Sequence, residues 1–343
     1  MRGRKVLALT AAVLASMLVL TSCKEQQSSG NLRIQVGVAS YNQGDTFISE
    51  LVRSFKEQLS QYESDEITTT VTVKDAAGVQ RTQDDQVEEL IDSGCNVLCV
   101  NLVDRTDPSE IIDLARENDV PIIFFNREPV AEDLMQWSGL YYVGAYAEQS
   151  GEIQGELAAD IIRDNSSIDR NKDGKIQYVV LEGEAGHQDA IIRTEKVVDT
   201  LRNQGIKLEK LSYGIANWNR AQAENRMTQM IGQYPNKIEL VLANNDDMAL
   251  GAIDAYDKLN LTESSRPVFF GIDGTDEGLQ AIVDEKMSGT VYNDKEGQAG
   301  AMAQLAMALV SGEGLDGIDF ENEKYIYLPY QKISPDNVEE FLR

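Results

Sequence analysis

The chain is poor in histidine, cysteine, tryptophan and positive charge. Its 343 residues include one His, three Cys, two Trp and 31 Lys and Arg against 57 Asp and Glu. The formal net charge of -26 repels phosphate backbones and argues against nucleic acid as a partner. The sequence also lacks the P-loop, G-x-S-x-G and H-E-x-x-H motifs, which are signatures of nucleotide binding, α/β-hydrolases and zinc proteases. A hydrophobic share of 42% supports a sizeable core, and the length favours two domains.

The N-terminal sequence is typical of an export signal. A basic start is followed by an uncharged apolar run of 15 residues, Val6 to Leu20, which is shorter than the roughly 20 residues of a membrane span and typical of a secretory signal. The run leads into Leu20-Thr-Ser-Cys23, which resembles the cleavage box of bacterial lipoproteins. We therefore predict a signal peptide over residues 1–22, lipidation of Cys23 and a flexible tether over 23–30. The alternative is an ordinary signal peptide with a chance cysteine.

The remaining cysteines, Cys95 and Cys99, flank and enter a short apolar run. Residues four apart in a strand lie about 13 Å apart, whereas a disulfide needs Cα atoms within about 7 Å. We expect two buried thiols and no bridge.

Apolar runs rich in β-branched residues alternate with amphipathic stretches along the chain, which predicts parallel sheets covered by helices. Ten such runs suit two doubly wound α/β lobes better than one very wide sheet. The predicted strands are Leu32–Ala39, Thr69–Val73, Val97–Asn101, Ile122–Phe125, Tyr141–Gly144, Ile176–Leu181, Leu208–Tyr213, Ile238–Ala243, Val268–Ile272 and Thr290–Tyr292.

Polar residues gather where these strands end. They include Tyr41 and Asp45, Asn101, Asn126, Asn244 to Asp246, Asp273, and Asn293 with Asp294. Open α/β sheets bind ligands just beyond the carboxyl ends of their strands. Asn and Asp also favour turns and helix caps, so each position alone has a structural alternative, and only their repetition in both halves favours a ligand site.

Residues 169–177 match the first nine positions of a calcium-binding loop. Oxygen-bearing side chains occupy positions one, three, five and nine, Gly174 allows the turn, and position seven offers its backbone carbonyl. The predicted donors are Asp169, Asn171, Asp173, the Lys175 carbonyl and Gln177. The twelfth position is Val180 instead of glutamate, so we expect Glu239 to supply the last carboxylate. The alternative is a turn without metal.

The only histidine, His187, precedes Asp189 and Arg193, which lie four apart and share a helix face. No paired Ser or Cys nucleophile accompanies the histidine, so general-base catalysis is the weaker interpretation. Donors and acceptors of this kind suit the hydroxyls of a polyol. Phe47 and Trp218 could pack on a sugar ring, although each alone is also typical of a core.

Together these residues and the calcium loop resemble the galactose- and glucose-binding members of the type I periplasmic binding proteins, which serve bacterial methyl-galactoside ABC transporters. The resemblance extends from about Leu32 to the C-terminus. It implies that Asp45 accepts hydrogen bonds from the sugar O4 and that Phe47 and Trp218 stack on opposite ring faces. It further implies polar sugar contacts from Asn101, His187, Asp189, Arg193, Asn245, Asp273 and Asn293, and calcium ligation by the six donors named above.

The resemblance also implies two lobes joined by three crossings, near Asn126, Asn293 and Tyr327. The first lobe would comprise 31–126 and 294–327, and the second 127–293 and 328–343. The expected protein is a monomeric, non-enzymatic sugar trap, held at the outer face of the cell membrane or in the periplasm, that delivers sugar to an ABC permease. The alternatives are a sugar-sensing subunit of a membrane receptor, a binder of another monosaccharide, and a carbohydrate-active enzyme using paired carboxylates.

Overall fold

A computed structural model describes residues 31–342 as two α/β lobes. The strands are β1 (Leu32–Ser40), β2 (Ile67–Asp75), β3 (Val97–Val100), β4 (Ile122–Phe125), β5 (Leu140–Gly144), β6 (Ile176–Glu182), β7 (Leu208–Ile215), β8 (Leu240–Ala243), β9 (Val268–Phe270), β10 (Thr290–Tyr292), β11 (Tyr325–Tyr327) and β12 (Gln331–Ile333). The helices are α1 (Thr46–Ser60), α2 (Gln80–Asp92), α3 (Ser109–Glu117), α4 (Ala131–Leu134), α5 (Ala147–Asp164), α6 (Gln188–Asn203), α7 (Arg220–Gln233), α8 (Asp246–Lys258), α9 (Asp276–Val283) and α10 (Lys295–Ser311).

The first lobe is built on a six-stranded sheet in the order β11-β5-β4-β3-β1-β2, and every neighbouring pair is parallel. Its central strands β3 and β4 are buried along their whole length, because helices cover both faces of a parallel sheet. Two apolar cores result, one on each face of the sheet.

The second lobe has a parallel four-stranded sheet in the order β7-β6-β8-β9. Strand β10 continues it through isolated parallel bridges from Phe270 to Gly289 and from Asp273 to Tyr292. The last strand, β12, pairs antiparallel with β10. Both lobes therefore have the predicted α/β organisation, with carboxyl ends of parallel strands available to form a site.

The first crossing between the lobes differs from the sequence prediction. Strand β5 pairs with β4 and β11 in the first sheet, so the chain leaves this lobe after Gly144 and not near Asn126. The short helix α4 returns the chain to the same sheet, a detail that the apolar pattern does not show. Further along, α10 packs into the first-lobe core, and the chain passes from β11 of the first sheet to β12 just after Tyr327.

Cys95 and Cys99 are buried and unbridged, as predicted. The predicted signal peptide, Cys23 and the tether lie outside the described residues. No helix within residues 31–342 combines the length and apolar character needed to cross a membrane.

Two glycines let α5 and α6 approach at backbone distance. A Cβ on Gly151 would lie 2.7 Å from Cβ of Lys196 and 3.0 Å from the carbonyl oxygen of Arg193. A Cβ on Gly155 would lie 2.6 Å from Cβ of Thr200. Only glycine fits such contacts without displacement. The pair therefore fixes the position of α6, whose N-cap is His187 and whose first turns carry Asp189 and Arg193.

We predict that Gly155→Ala destabilises the protein by about 1–3 kcal/mol, because the new methyl group must push two packed helices apart. Gly232→Ala on α7 is the matched control, since a Cβ there meets nothing within 4 Å. That variant should be more stable by about 0.5 kcal/mol through helix propensity alone. Denaturant unfolding measures both changes, and equal stabilisation by the two substitutions would show that the helices are not in tight contact.

Candidate functional site

A cavity lies between the two lobes, at the carboxyl ends of their strands, and contains about 360 Å³ of space not filled by atoms. The first-lobe side contributes Tyr41, Asp45, Phe47, Ile48, Asn126 and Arg127, and the second lobe contributes His187, Asp189, Arg193, Trp218, Asn245 and Asp273. A ligand in this cavity would touch both lobes at once.

Eight of the ten residues expected at a sugar site line this one cavity. They are Asp45, Phe47, His187, Asp189, Arg193, Trp218, Asn245 and Asp273. Asn101 and Asn293 are not among the lining residues. Asn101 donates from Nδ2 to Oδ1 of Asn126 at 3.2 Å, and Asn293 accepts at Oδ1 from Nε2 of Gln298 at 2.7 Å.

The sequence assigned no sugar contact to four lining residues. Tyr41 and Asn126 carried a signal, because both lie at a strand end, whereas Ile48 and Arg127 carried none. The guanidinium of Arg127 lies 3.7 Å from the ring centroid of Tyr41 and donates to the Val103 carbonyl at 2.9 Å. It also donates to Oε2 of Glu184 at 2.8 Å. Arg127 thus joins the two lobes at the edge of the cavity.

Three lining residues also cap helices that begin at the cavity. Asp45 accepts from the backbone N–H of Ile48 at the start of α1, and Asn245 accepts from that of Met248 at the start of α8. His187 accepts through Nδ1 from the N–H of Asp189 at the start of α6. These residues therefore both cap helices and line the cavity. The three helix N-termini favour electron-rich oxygen atoms of a ligand in the cavity.

Backbone strain is concentrated around the cavity. The lining residues Asn126, Trp218 and Asp273 have φ angles of 59°, 60° and 122°, and Asn217 has 50°. Such angles in residues other than glycine cost on the order of 1–3 kcal/mol and are typical of functional sites. The ring of Trp218 lies directly on Gly183, where a Cβ would come within 2.3 Å of it. The glycine therefore makes room for the tryptophan.

The predicted calcium loop folds around its own oxygen atoms. Oδ2 of Asp169 accepts from the N–H of Gly174 at 2.9 Å, and Gly174 has the positive φ of 78° that the turn requires. Asp173 accepts from Nε2 of Gln177 at 3.0 Å, and Asn171 donates to Oε1 of Gln177 at 2.9 Å. The side chains of these four proposed donors therefore share one small volume.

Glu239 lies against this loop although 62 residues separate it from Gln177. Its carboxylate accepts from the backbone N–H of Arg170 at 2.7 Å and of Gln177 at 3.1 Å, and the side chain is buried. Within residues 31–342, no group of three or more His, Cys, Asp and Glu side chains has a metal-site arrangement. A cation here would depend equally on the amide oxygens of Asn171 and Gln177 and on the Lys175 carbonyl, which is the oxygen-rich set that calcium prefers.

Comparison with known proteins identifies the family of the chain. Residues 36–314 match the family described as "Periplasmic binding protein domain". The chain belongs to this family. It is 32% identical to the D-galactose/methyl-galactoside binding periplasmic protein MglB of Haemophilus influenzae, over 97% of this chain and 99% of the relative. This result confirms the resemblance that the sequence motifs indicated.

Solved structures of ABC transporter solute-binding proteins have the same fold. One from Bacillus halodurans, with bound myo-inositol, has a TM-score of 0.73 and 27% identity, covering 92% of this chain and 98% of that one. Another from Actinobacillus succinogenes, with bound D-allose, has a TM-score of 0.75 at 18% identity, covering 90% and 99%. The predicted α/β fold of two lobes is confirmed, and the family consists of binding proteins for transport, not enzymes.

In this periplasmic binding protein, one buried guanidinium organises the second-lobe wall. Arg193 donates to the Asn244 carbonyl at 2.8 Å and to the Tyr330 hydroxyl at 3.1 Å, and it lies 3.8 Å from Asp273. Burial raises the pKa of the Asp273 carboxyl well above its usual value, and Arg193 opposes that shift. Burial likewise raises the pKa of the Asp189 carboxyl above its usual value, and the charge of Arg193 opposes that shift.

His187 is held neutral by its surroundings. Burial lowers its pKa to about 3, and the positive charges of Arg127, Arg193 and Arg105 add to the shift. A neutral imidazole that accepts at Nδ1 must carry its proton on Nε2. His187 therefore presents a hydrogen-bond donor to its surroundings at every pH from 5 to 8.

We predict that His187 makes folding sensitive to acid. Its pKa is lower in the folded protein than the ordinary 6.5, so the stability it contributes is complete above pH 6.5 and is lost as the pH falls toward 3. Replacement His187→Gln removes this titration but not the buried carboxyls, whose raised pKa values act in the opposite direction. The difference in thermal midpoint between wild type and variant should therefore change steadily between pH 6.5 and pH 4. A constant difference over this range would mean that His187 is not held neutral.

Proposed function

We propose that the chain captures one hexose, D-galactose or D-glucose, between its two lobes and delivers it to an ABC sugar permease. The observation that carries the proposal is that eight residues expected to contact sugar line one cavity between the lobes. The 32% identity to a D-galactose/methyl-galactoside binding protein, over nearly the full length of both chains, supports the same ligand class.

The cavity chemistry suits sugar hydroxyls, each of which donates and accepts a hydrogen bond. Acceptors are supplied by the carboxyl oxygens of Asp45, Asp189 and Asp273, and donors by Arg193 and the Nε2–H of His187. Hydrogen bonds to charged partners are the stronger kind. Such hydrogen bonds would orient a neutral ligand that has little apolar surface.

Arg193 retains one buried donor for such a ligand. Its Nε is among the buried side-chain atoms of residues 31–342 that have no hydrogen-bond partner in the protein. A buried donor without an acceptor costs about 1–3 kcal/mol. A sugar hydroxyl that accepts from it would recover this energy on binding.

Aromatic residues from both lobes supply the apolar part of the site. Phe47 of α1 and Trp218 both line the cavity, and the edge of the His187 ring meets Trp218 with centroids 5.2 Å apart. Sugar rings have C–H faces that pack on aromatic surfaces. We propose that these two rings enclose the pyranose between them, one from each lobe.

A cyclic polyol is the second candidate ligand. The solved relative from Bacillus halodurans, at 27% identity, binds myo-inositol, a six-membered ring with a hydroxyl on every carbon. The same acceptors and donors would serve such a ring. Binding of inositol in preference to hexoses would make the protein a polyol binder of the same transport class.

We propose that Asp169, Asn171, Asp173, the Lys175 carbonyl, Gln177 and Glu239 hold a structural Ca²⁺. The ion would offset two of the three negative charges of the carboxylates and fix the loop that precedes β6. We also propose that Cys23 is lipidated and tethers the protein outside the cell membrane, where it acts as a monomer. A sugar-sensing role at a membrane receptor remains the alternative to transport.

We predict micromolar or tighter binding of galactose or glucose to residues 24–343, measured by calorimetry together with Trp218 fluorescence. Asp45→Asn should weaken binding at least tenfold, because a charged acceptor is lost from a buried site. Asp104→Asn is the matched control, since Asp104 is an exposed aspartate that also accepts from a local N–H. Ribose and myo-inositol complete the panel, and binding of neither hexose by folded, calcium-loaded protein would refute the hexose assignment.

We predict that chelation lowers the thermal midpoint of the wild type by several degrees. An ion present at 100 times its Kd stabilises a protein by about 2.7 kcal/mol. Glu239→Gln should lower the thermal midpoint and abolish its response to chelator. Metal analysis of the purified protein completes the test. An unchanged midpoint and the absence of co-purified calcium would show that the loop is a turn without metal.

A further inference from the structure

A buried ion pair lies at the lobe interface, outside the residues that line the cavity. Glu50 of α1 and Lys295, the first residue of α10, are in direct contact. Both belong to the first lobe, and their side chains are only 8% and 5% exposed. Neither residue is among those that line the cavity, so the sugar site does not account for them.

The pair meets the start of helix α9 on the second lobe. Oε1 of Glu50 accepts from the backbone N–H of Asp276 at 3.2 Å. Nζ of Lys295 donates to Oδ1 of Asp276 at 3.2 Å and to the carbonyl of Gly274 at 3.3 Å. A carboxylate from one lobe thus satisfies a helix N-terminus of the other, which is a favourable position for negative charge.

Arg53 strengthens the same junction from the surface. Its Nη2 donates to Oδ2 of Asp276 at 3.1 Å, with both side chains more than half exposed. Although partial burial acts to raise it, Lys295 and Arg53 together hold the pKa of Asp276 below its usual value. Asp276 therefore remains charged at neutral pH.

The arrangement is complete only when the lobes are together. Burial of a charge is costly unless it is paired and hydrogen-bonded, and Lys295 stands at a helix N-terminus, where positive charge is unfavourable. Glu50 compensates Lys295 within the first lobe. The remaining hydrogen-bonding capacity of both groups is used by Asp276 and Gly274 of the second lobe.

We propose that Glu50 and Lys295 form an interlobe lock: a preassembled ion pair on one lobe that captures the N-terminus of α9 on the other and holds the closed conformation. On the proposed function, on which its role in ligand release rests, the lock sets how long a sugar is retained. It acts on closure and not on recognition.

The first test measures sugar association and dissociation by stopped-flow Trp fluorescence. Glu50→Gln and Lys295→Met should each raise the dissociation rate about tenfold or more, with little change in association, because truncating one partner of a buried charge pair acts mainly on release. In the double variant, the dissociation rate should rise by less than the product of the two single-variant increases. Dissociation rates within twofold of wild type in both single variants would overturn the lock.

The second test needs no ligand. Oγ1 of Thr46 on the first lobe donates to Oδ2 of Asp247 on the second at 2.7 Å, so Thr46→Cys with Asp247→Cys places two thiols across the closed interface. Diamide oxidises the pair to a disulfide only while the lobes are together. In this background Glu50→Gln should slow cross-linking of ligand-free protein about tenfold, and an unchanged rate would contradict the proposal.

The control replaces an exposed ion pair of the first lobe, Arg81 with Asp85, by Arg81→Met and Asp85→Asn. These side chains are 77% and 57% exposed, and their loss should change neither release nor cross-linking. Circular dichroism establishes that every variant is folded. Slower cross-linking in the Glu50→Gln background of a protein that binds no hexose would uphold the lock and refute the hexose assignment. Hexose binding with unchanged dissociation and cross-linking rates in these variants would support the hexose assignment and refute the lock.

Discussion

The second-lobe wall of the site depends on the guanidinium of Arg193. It reaches the end of β8 through Asn244, the end of β9 through Asp273, and the last crossing segment through Tyr330. These three segments are far apart in the chain, and a planar group with five donors can join them without itself becoming mobile. Its charge also lets two buried aspartates stand beside a polar ligand without an excess of negative charge.

Much of the fold could be predicted because parallel strands buried on both faces leave continuous apolar runs. Ile122–Phe125 and Thr290–Tyr292 were predicted with the bounds that the structure has. Strands β11 and β12 were missed, since each is only three residues long and no amphipathic helix separates them to mark the alternation of strand and helix. The first crossing was misplaced because the resemblance put it just after β4, whereas the next strand, β5, joins the same sheet, and no local pattern shows which sheet a strand joins.

The site was predictable where a residue type and a strand end coincided. Asp45, Asn245 and Asp273 follow strands and line the cavity, and they were identified from that pattern. Asn101 has the same local signature as Asn126, but only Asn126, one strand further along, reaches the cavity. Arg127 escaped notice because its place there depends on a contact with Tyr41 86 residues earlier in the chain, which no local pattern encodes.

The enclosure of the cavity by both lobes has a consequence for the length of ligand that the protein can accept. Its lining comes from both lobes, so a second ring standing between them would hold the lobes further apart. A disaccharide would act as a wedge that keeps Thr46 from Asp247. On the proposed function, a longer saccharide would therefore have to be cut to single rings before the lobes could close on it.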